Sequence, residues 1–110
     1  MAKYGDITST GQSGTIYQFE AYSWDTAFDE AGAVYIITGR TVKPEGGGTH
    51  ARIYIGQTAD LSERFDNHHK ISCFERHNAN CICIHVDDNE NSRRTKEADL
   101  IAVYRPPCND

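Results

Sequence analysis

Apolar and polar residues alternate along 15–23, TIYQFEAYS, where Tyr17, Phe19 and Ala21 interleave with Gln18 and Glu20. This period-two alternation predicts a half-buried strand. The run AVYIIT at 33–38 is rich in β-prone residues and predicts a second strand. In RIYIG at 52–56, Ile53 and Ile55 alternate with Arg52 and Tyr54 until Gly56 breaks the pattern. A glycine there marks a place where backbone must bend or approach something closely. CICIHV at 81–86 predicts a further strand. Elsewhere the period is helical. Leu61, Arg64, Phe65 and His68 recur at spacings of three and four, which predicts a helix over 61–71. Asp60 is its candidate N-cap, with Glu63 closing a capping box. Leu100, Ile101 and Tyr104 predict a last helix, capped by Ser92 and stopped near Arg105 by Pro106 and Pro107.

The segments between carry turn chemistry. Residues 1–14, rich in Gly, Ser and Thr, predict a loose start. Residues 24–32 predict a short irregular or single-turn helical connection in which Trp24 and Phe28, four apart, pack together on the body of the domain. Residues 39–51, with Pro44 and the glycines Gly46 to Gly48, predict a long flexible loop, and 72–80 a polar connection. Two strands joined by a loop without helical pattern imply an antiparallel hairpin, with Tyr35 and Tyr54 close on one face. The order β-β-α-β-α behind an extra N-terminal strand predicts an α+β fold, a small and mainly antiparallel sheet flanked by helices. Residues 1–31 are expected as an N-terminal extension packing on the same domain, and 32–110 as its main unit.

A length of 110 residues fits one domain. No apolar run approaches the ~20 residues that span a bilayer, so no membrane association is expected. The start MAKYGDITST lacks the apolar core of an export signal, which makes a cytoplasmic location the expectation. In that compartment Cys73, Cys81, Cys83 and Cys108 are expected as reduced thiols. The net charge of −5 is unfavourable for a nucleic-acid binder. It is unevenly spread, however: residues 1–39 hold five acids and one base, residues 40–110 eleven acids and ten bases.

Glu97 is the oddity of the last helix. It precedes Leu100, Ile101 and Tyr104 by three, four and seven residues and so shares their apolar stripe. A carboxylate there is costly unless paired or bound to a cation. A salt bridge to Arg64 or Arg93 is one partner; a metal ion is the other. Cys81, Cys83 and His85 fall on one face of a strand and raise a zinc site, but the spacing is short for zinc, and cysteine is also a common small core residue. Arg93, Arg94 and Lys96 form a basic cluster that suits either a solvated helix face or a phosphate backbone.

Taken together, these pieces resemble the GIY-YIG nuclease superfamily. Gly32-Ala33-Val34-Tyr35 corresponds to the first signature of that family, and Tyr54-Ile55-Gly56 followed by Thr58, Leu61, Arg64 and His68 to the second. Glu97 with Leu100-Ile101 matches its last helix, and Asn109 after Pro106-Pro107-Cys108 its closing Asn. Two departures stand out: Ala33 occupies a position where the family usually has Gly, and the loop between the tyrosines is longer than in many members. Residues 1–31 match no motif.

The resemblance implies an endonuclease that hydrolyses nucleic-acid phosphodiester bonds, DNA ahead of RNA, with Mg²⁺ or Mn²⁺. Glu97 would hold the metal, Arg64 would neutralise the scissile phosphate, and Tyr35 would orient and deprotonate the attacking water. His68 would receive the proton, Tyr54 would hydrogen-bond the phosphate or the water, and Asn109 would buttress the site. The residue types suit these tasks. Mg²⁺ needs only one or two protein carboxylates, a planar guanidinium can bind two phosphate oxygens, and a phenol of ordinary pKa about 10 must be activated or pass its proton on. Gly56, Arg52, Arg93 and Arg94 are the candidate substrate contacts; His69, His77, Arg40 and Lys43 are weaker ones. Because cation–phosphate contacts dominate nucleic-acid affinity, the acidic chain is expected to need a homodimer, a partner protein or a structured substrate. Two alternatives stay open: a non-catalytic nucleic-acid- or protein-binding module that retains the fold, and a zinc-stabilised interaction domain using Cys81, Cys83 and His85.

Overall fold

The computed structural model describes residues 3–63 and 65–109, apart from the side chain of Asp66. Arg64 therefore lies outside the described residues. Five strands, β1 (Lys3–Thr10), β2 (Ile16–Ser23), β3 (Ala33–Val42), β4 (Gly48–Thr58) and β5 (Cys81–Val86), form one antiparallel sheet in the order β1-β2-β5-β3-β4. Helices α1 (Ile71–Arg76) and α2 (Glu90–Tyr104) pack on it, and short 3-10 turns occur at Phe65–Asn67 and Pro107–Asn109. The α+β architecture is as expected, with the β3–β4 hairpin, β5 and α2 where the apolar pattern places them. Instead of one N-terminal strand there are two.

Strand alternation sorts the core into two layers. Phe19, Val34, Ile36, Ile55, Cys81 and Cys83 face Leu100 of α2. Tyr35, Ile37, Ile82 and Ile84 face Phe74 of α1, Leu61 and Cys108. Ile53 and Ile55 do not share a layer, although their spacing suggests it. The β3–β4 register slips between Ile37↔Tyr54 and Thr38↔Arg52, leaving Ile53 as the extra residue of a β-bulge. This bulge resets the alternation: Tyr54 joins the Tyr35 layer and Arg52 points to the other.

Arg52 closes the curl of the sheet. Its Nη2 donates to Ser9 Oγ at 2.8 Å and to Thr8 O at 3.2 Å on β1, and its guanidinium lies over the Tyr104 ring, 4.2 Å from the centroid. The two border strands are thus joined by one side chain. The β1–β2 turn is docked on α2, where Asp99 accepts from Ser13 N, Ser13 Oγ and Tyr17 Oη. Tyr104 Oη accepts from Thr10 N.

Several expectations are corrected here. Residues 3–10, expected loose, form β1, because pairing along Ile7↔Phe19 and Ser9↔Tyr17 overrides weak local preference. The expected long loop shrinks to 43–47: β3 and β4 extend toward it, and Gly46 and Gly47 turn the chain with positive φ. Among the described residues of 61–71, the expected helix does not form: a 3-10 turn spans Phe65–Asn67 and the α-helix begins only at Ile71. Asp60 instead accepts from Ser62 N in a local turn, and Leu61 N donates to Ala31 O, which holds the chain off a helical path. The helix forms later, as α1, in the segment expected to be a polar connection. The cap of α2 is Asn89, whose side chain accepts from Ser92 N; Ser92 is not the cap. Trp24 packs on Phe74 and Phe28 on Tyr22 and Phe65, rather than on each other. Cys73 and Cys108 are joined in a disulfide, so only Cys81 and Cys83 are free thiols.

Candidate active site

Tyr35 lies opposite Gly56 in the β3–β4 register, and Tyr54 lies opposite Ile37 in the same layer. Their rings are 6.1 Å apart. A Cβ at position 56 would come within 2.7 Å of the Tyr35 ring and 2.8 Å of the Tyr54 ring. Gly56 is therefore the floor on which both phenols rest, which explains its place in the sequence without any contact to substrate.

His68 follows the 3-10 turn at Phe65–Asn67 and is held from both sides. Its Nδ1 accepts from Lys70 N at 3.1 Å, its carbonyl accepts from Ile71 N, and its Nε2 lies 2.7 Å from Tyr35 Oη. An Nδ1 that accepts a backbone N–H carries no proton, so in the neutral ring the proton sits on Nε2 and is donated to Tyr35 Oη. Burial above all, with His69 and Lys70 adding to it, lowers the His68 pKa to about 4, which keeps the ring neutral at pH 7. Neutral His68 in this tautomer is a donor to the phenol oxygen. It is not placed to receive the phenol's proton, which differs from the expected relay.

Glu97 projects from α2 into the same cleft, of about 590 Å³, that Tyr35, Tyr54 and His68 line. Among the described residues it has no hydrogen bond or ion pair. Burial pushes its carboxyl pKa up, with Arg94 pulling the other way. Burial, followed by Tyr54 and Glu97, drives the Tyr35 phenol far above its ordinary range, and burial followed by Glu97 raises Tyr54. The expected salt bridge to Arg93 is not made. The Arg93 side chain is buried, with Nε donating to Gln57 Oε1 at 2.9 Å and Nη1 to Asp87 O at 3.1 Å. It fastens α2 to the end of β4, one turn before Glu97.

Asn109 grips β4 at Ile55, between Tyr54 and Gly56. Its Oδ1 accepts from Ile55 N at 2.9 Å and its Nδ2 donates to Ile55 O at 2.8 Å. The disulfide at the neighbouring Cys108 ties the same turn to α1.

The cleft thus brings together Tyr35, Tyr54, His68 and Glu97, supported by Gly56 and Asn109. It does not include Arg52, which the bulge turns to the opposite layer, or Arg93, whose guanidinium is used internally. Arg94 is exposed and paired with Glu90 at 3.5 Å, near enough to act on the Glu97 charge. His69 stacks on His68 and lines the cleft, His77 caps the end of α1, and Arg40 covers the Tyr4 ring. The role expected of Arg64 lies outside the described residues. His85 does not reach Cys81 and Cys83 as a third ligand: its Nδ1 faces Gln18 O and its Nε2 faces Lys96 Nζ. Gln57 was missed by sequence reasoning; its signal was a polar residue directly after the buried Ile55-Gly56 pair, still within the strand.

The residues fit a hard divalent cation in one respect that depends on this geometry. A half-buried carboxylate with no hydrogen-bond or ion-pair partner among the described residues, facing two phenols in an open polar cleft, has oxygen donors to offer and only the distant pull of Arg94 to offset its charge. No family model, curated protein or solved structure matches the chain.

Proposed function

We propose that the chain is a divalent-metal-dependent nuclease that hydrolyses phosphodiester bonds, DNA ahead of RNA. The observation that carries this reading is the Glu97 carboxylate, without a partner among the described residues, facing the hydrogen-bonded Tyr35–His68 pair. Glu97 would hold Mg²⁺ or Mn²⁺, which when bound would polarise the phosphate and offset charge on the departing oxygen. Every other task falls to side chains. Tyr35 Oη accepts from His68 Nε2, which favours the phenolate and leaves the phenol's own proton directed away from the imidazole. In that setting Tyr35 orients an attacking water; it takes that water's proton only as the phenolate, after losing its own proton to solvent in the open cleft, and burial above all, then Tyr54 and Glu97, oppose that ionisation. Tyr54, on the same floor, donates to a phosphate oxygen or to the water. Arg64 is the proposed phosphate clamp, on the strength of the family resemblance alone.

The acidic chain still binds nucleic acid weakly by charge, and Asp60 and Glu63 add to the acidity of the cleft. A branched substrate, a second copy or a partner protein would compensate. The same acidity favours the second reading, a binding module without catalysis, and one experiment separates them. Wild type, Tyr35→Phe and Glu97→Gln are incubated with single-stranded, duplex, flapped and junction DNA and RNA in Mg²⁺ or Mn²⁺. The nuclease reading expects cleavage by wild type and at least ~10²-fold slower cleavage by both variants. Absence of cleavage on every substrate, or a Glu97→Gln variant cutting at the wild-type rate, would overturn it.

A further inference from the structure

The central strand β5 presents Cys81 and Cys83 to the α2 layer, both fully buried and neither in a disulfide. Across β3, on β4, His50 reaches over Thr38 toward them. The sulfurs of Cys81 and Cys83 and a ring nitrogen of His50 all lie within 4.8 Å of one another. We propose that His50, Cys81 and Cys83 form a binding site for a thiophilic divalent ion of the zinc class, separate from the Tyr35–Glu97 cleft.

Three features carry this beyond ordinary core packing. The donor set, two thiols and an imidazole, is a soft-to-borderline one of the kind zinc takes, and zinc sites with three protein ligands leave a fourth position open. The ligands come from two strands separated by β3, so the sheet and not a local loop sets their spacing. His50 is also already oriented. Its Nδ1 lies 2.9 Å from Thr38 Oγ1, which leaves Nε2 as the ring nitrogen available to an ion, and such an outer hydrogen bond to the second nitrogen is typical of ligating histidines. His50 is only partly buried and supplies the way in from solvent. Binding releases the two thiol protons to water and leaves a neutral assembly of two thiolates, one imidazole and the dication, which lowers the cost of placing charge in an apolar layer. A second cluster, Cys73, His77 and Cys108, has similar composition, but its sulfurs are consumed by the disulfide and cannot act as thiolates.

The test uses the full chain, purified without metal-affinity resin and with its disulfide intact. Zinc content is measured by mass spectrometry after dialysis against Zn²⁺, and Co²⁺ is then titrated into metal-free protein. The expected result is one tightly held zinc per chain and a cobalt spectrum with thiolate charge-transfer bands. Both are expected to be lost in Cys81→Ser and Cys83→Ser, weakened in His50→Ala and kept in Glu97→Gln. A wild-type cobalt spectrum matching that of the hydrated ion would overturn the proposal, whatever the variants do. So would zinc retention in the Cys81→Ser/Cys83→Ser double variant, or loss of zinc in Glu97→Gln.

Discussion

Replacing Glu97 by Gln is expected to make the metal-free protein more stable. Gln keeps the shape of the side chain and removes a charge that, among the described residues, has no partner. The cation nearest in effect, Arg94, stands on an exposed turn and is engaged with Glu90. Removing an uncompensated charge of this kind contributes about 0.5–2 kcal/mol. For a domain of this size that raises the melting temperature by roughly 2–15 °C. The pH dependence has a definite sign. Burial places the folded-state pKa of Glu97 above its ordinary 4.5, so its unfavourable contribution is complete above the folded pKa and gone below 4.5. The stability gap between variant and wild type therefore closes as pH falls through that window. Divalent metal reverses the order: at a concentration 100 times its Kd, Mg²⁺ or Mn²⁺ stabilises wild type by about 2.7 kcal/mol and leaves the variant unchanged. Urea unfolding at neutral pH and near pH 4, with and without Mg²⁺, measures all of this. A variant less stable than wild type without metal, a gap indifferent to pH, or equal stabilisation of both proteins by metal would each refute the reasoning.

Three further outcomes are expected. Asn109→Ala strips two hydrogen bonds from the fully buried Ile55 and should cost about 2–4 kcal/mol, seen as a lower urea midpoint at unchanged m-value and faster amide exchange at Ile55. Arg52→Ala should cost about 2–3 kcal/mol by releasing β1 from β4 and uncovering Tyr104, while Arg52→Lys restores only part of it because an ammonium cannot fork between Ser9 and Thr8. His68 should titrate near 4 by NMR, and stability should fall as pH drops from about 6.5 toward 4, where the unfolded chain binds a proton that the folded one refuses; Tyr35→Phe, which keeps the burial, should leave most of that depression in place.

The apolar alternation in 15–23 and the β-prone runs at 33–38 and 81–86 were enough to place three strands, because each strand covers the core and its pattern is local. The β1 strand was not legible, since Gly5, Asp6 and Ser9 interrupt its β-prone residues Tyr4, Ile7, Thr8 and Thr10, and the segment is ordered by β2 and Arg52. The spacing of Leu61, Phe65 and His68 suits a helix, yet those residues meet the core through a turn and a 3-10 segment. The bond from Leu61 N to Ala31 O and the seat of His68 on Tyr35 are tertiary facts that no window of sequence contains. In the candidate site, Tyr35, Tyr54, His68, Glu97, Gly56 and Asn109 were all legible as a set. Arg52 and Arg93 were misread because their guanidinium partners, Ser9 and Gln57, lie 43 and 36 residues away. The bulge at Ile53 decided the matter for Arg52, and nothing in RIYIG announces it.

A primary amide has the same donor–acceptor spacing as a peptide unit, and Asn109 offers one to the outer margin of β4. To that margin the side chain is a single counterfeit rung of a sixth strand. Copies of the chain that tried to zip together along β4 would have to evict it first. Self-association by strand pairing along β4 is therefore opposed at this point, and the unwanted kind, open-ended pairing of sheet edges, meets a stop within the strand that carries Tyr54.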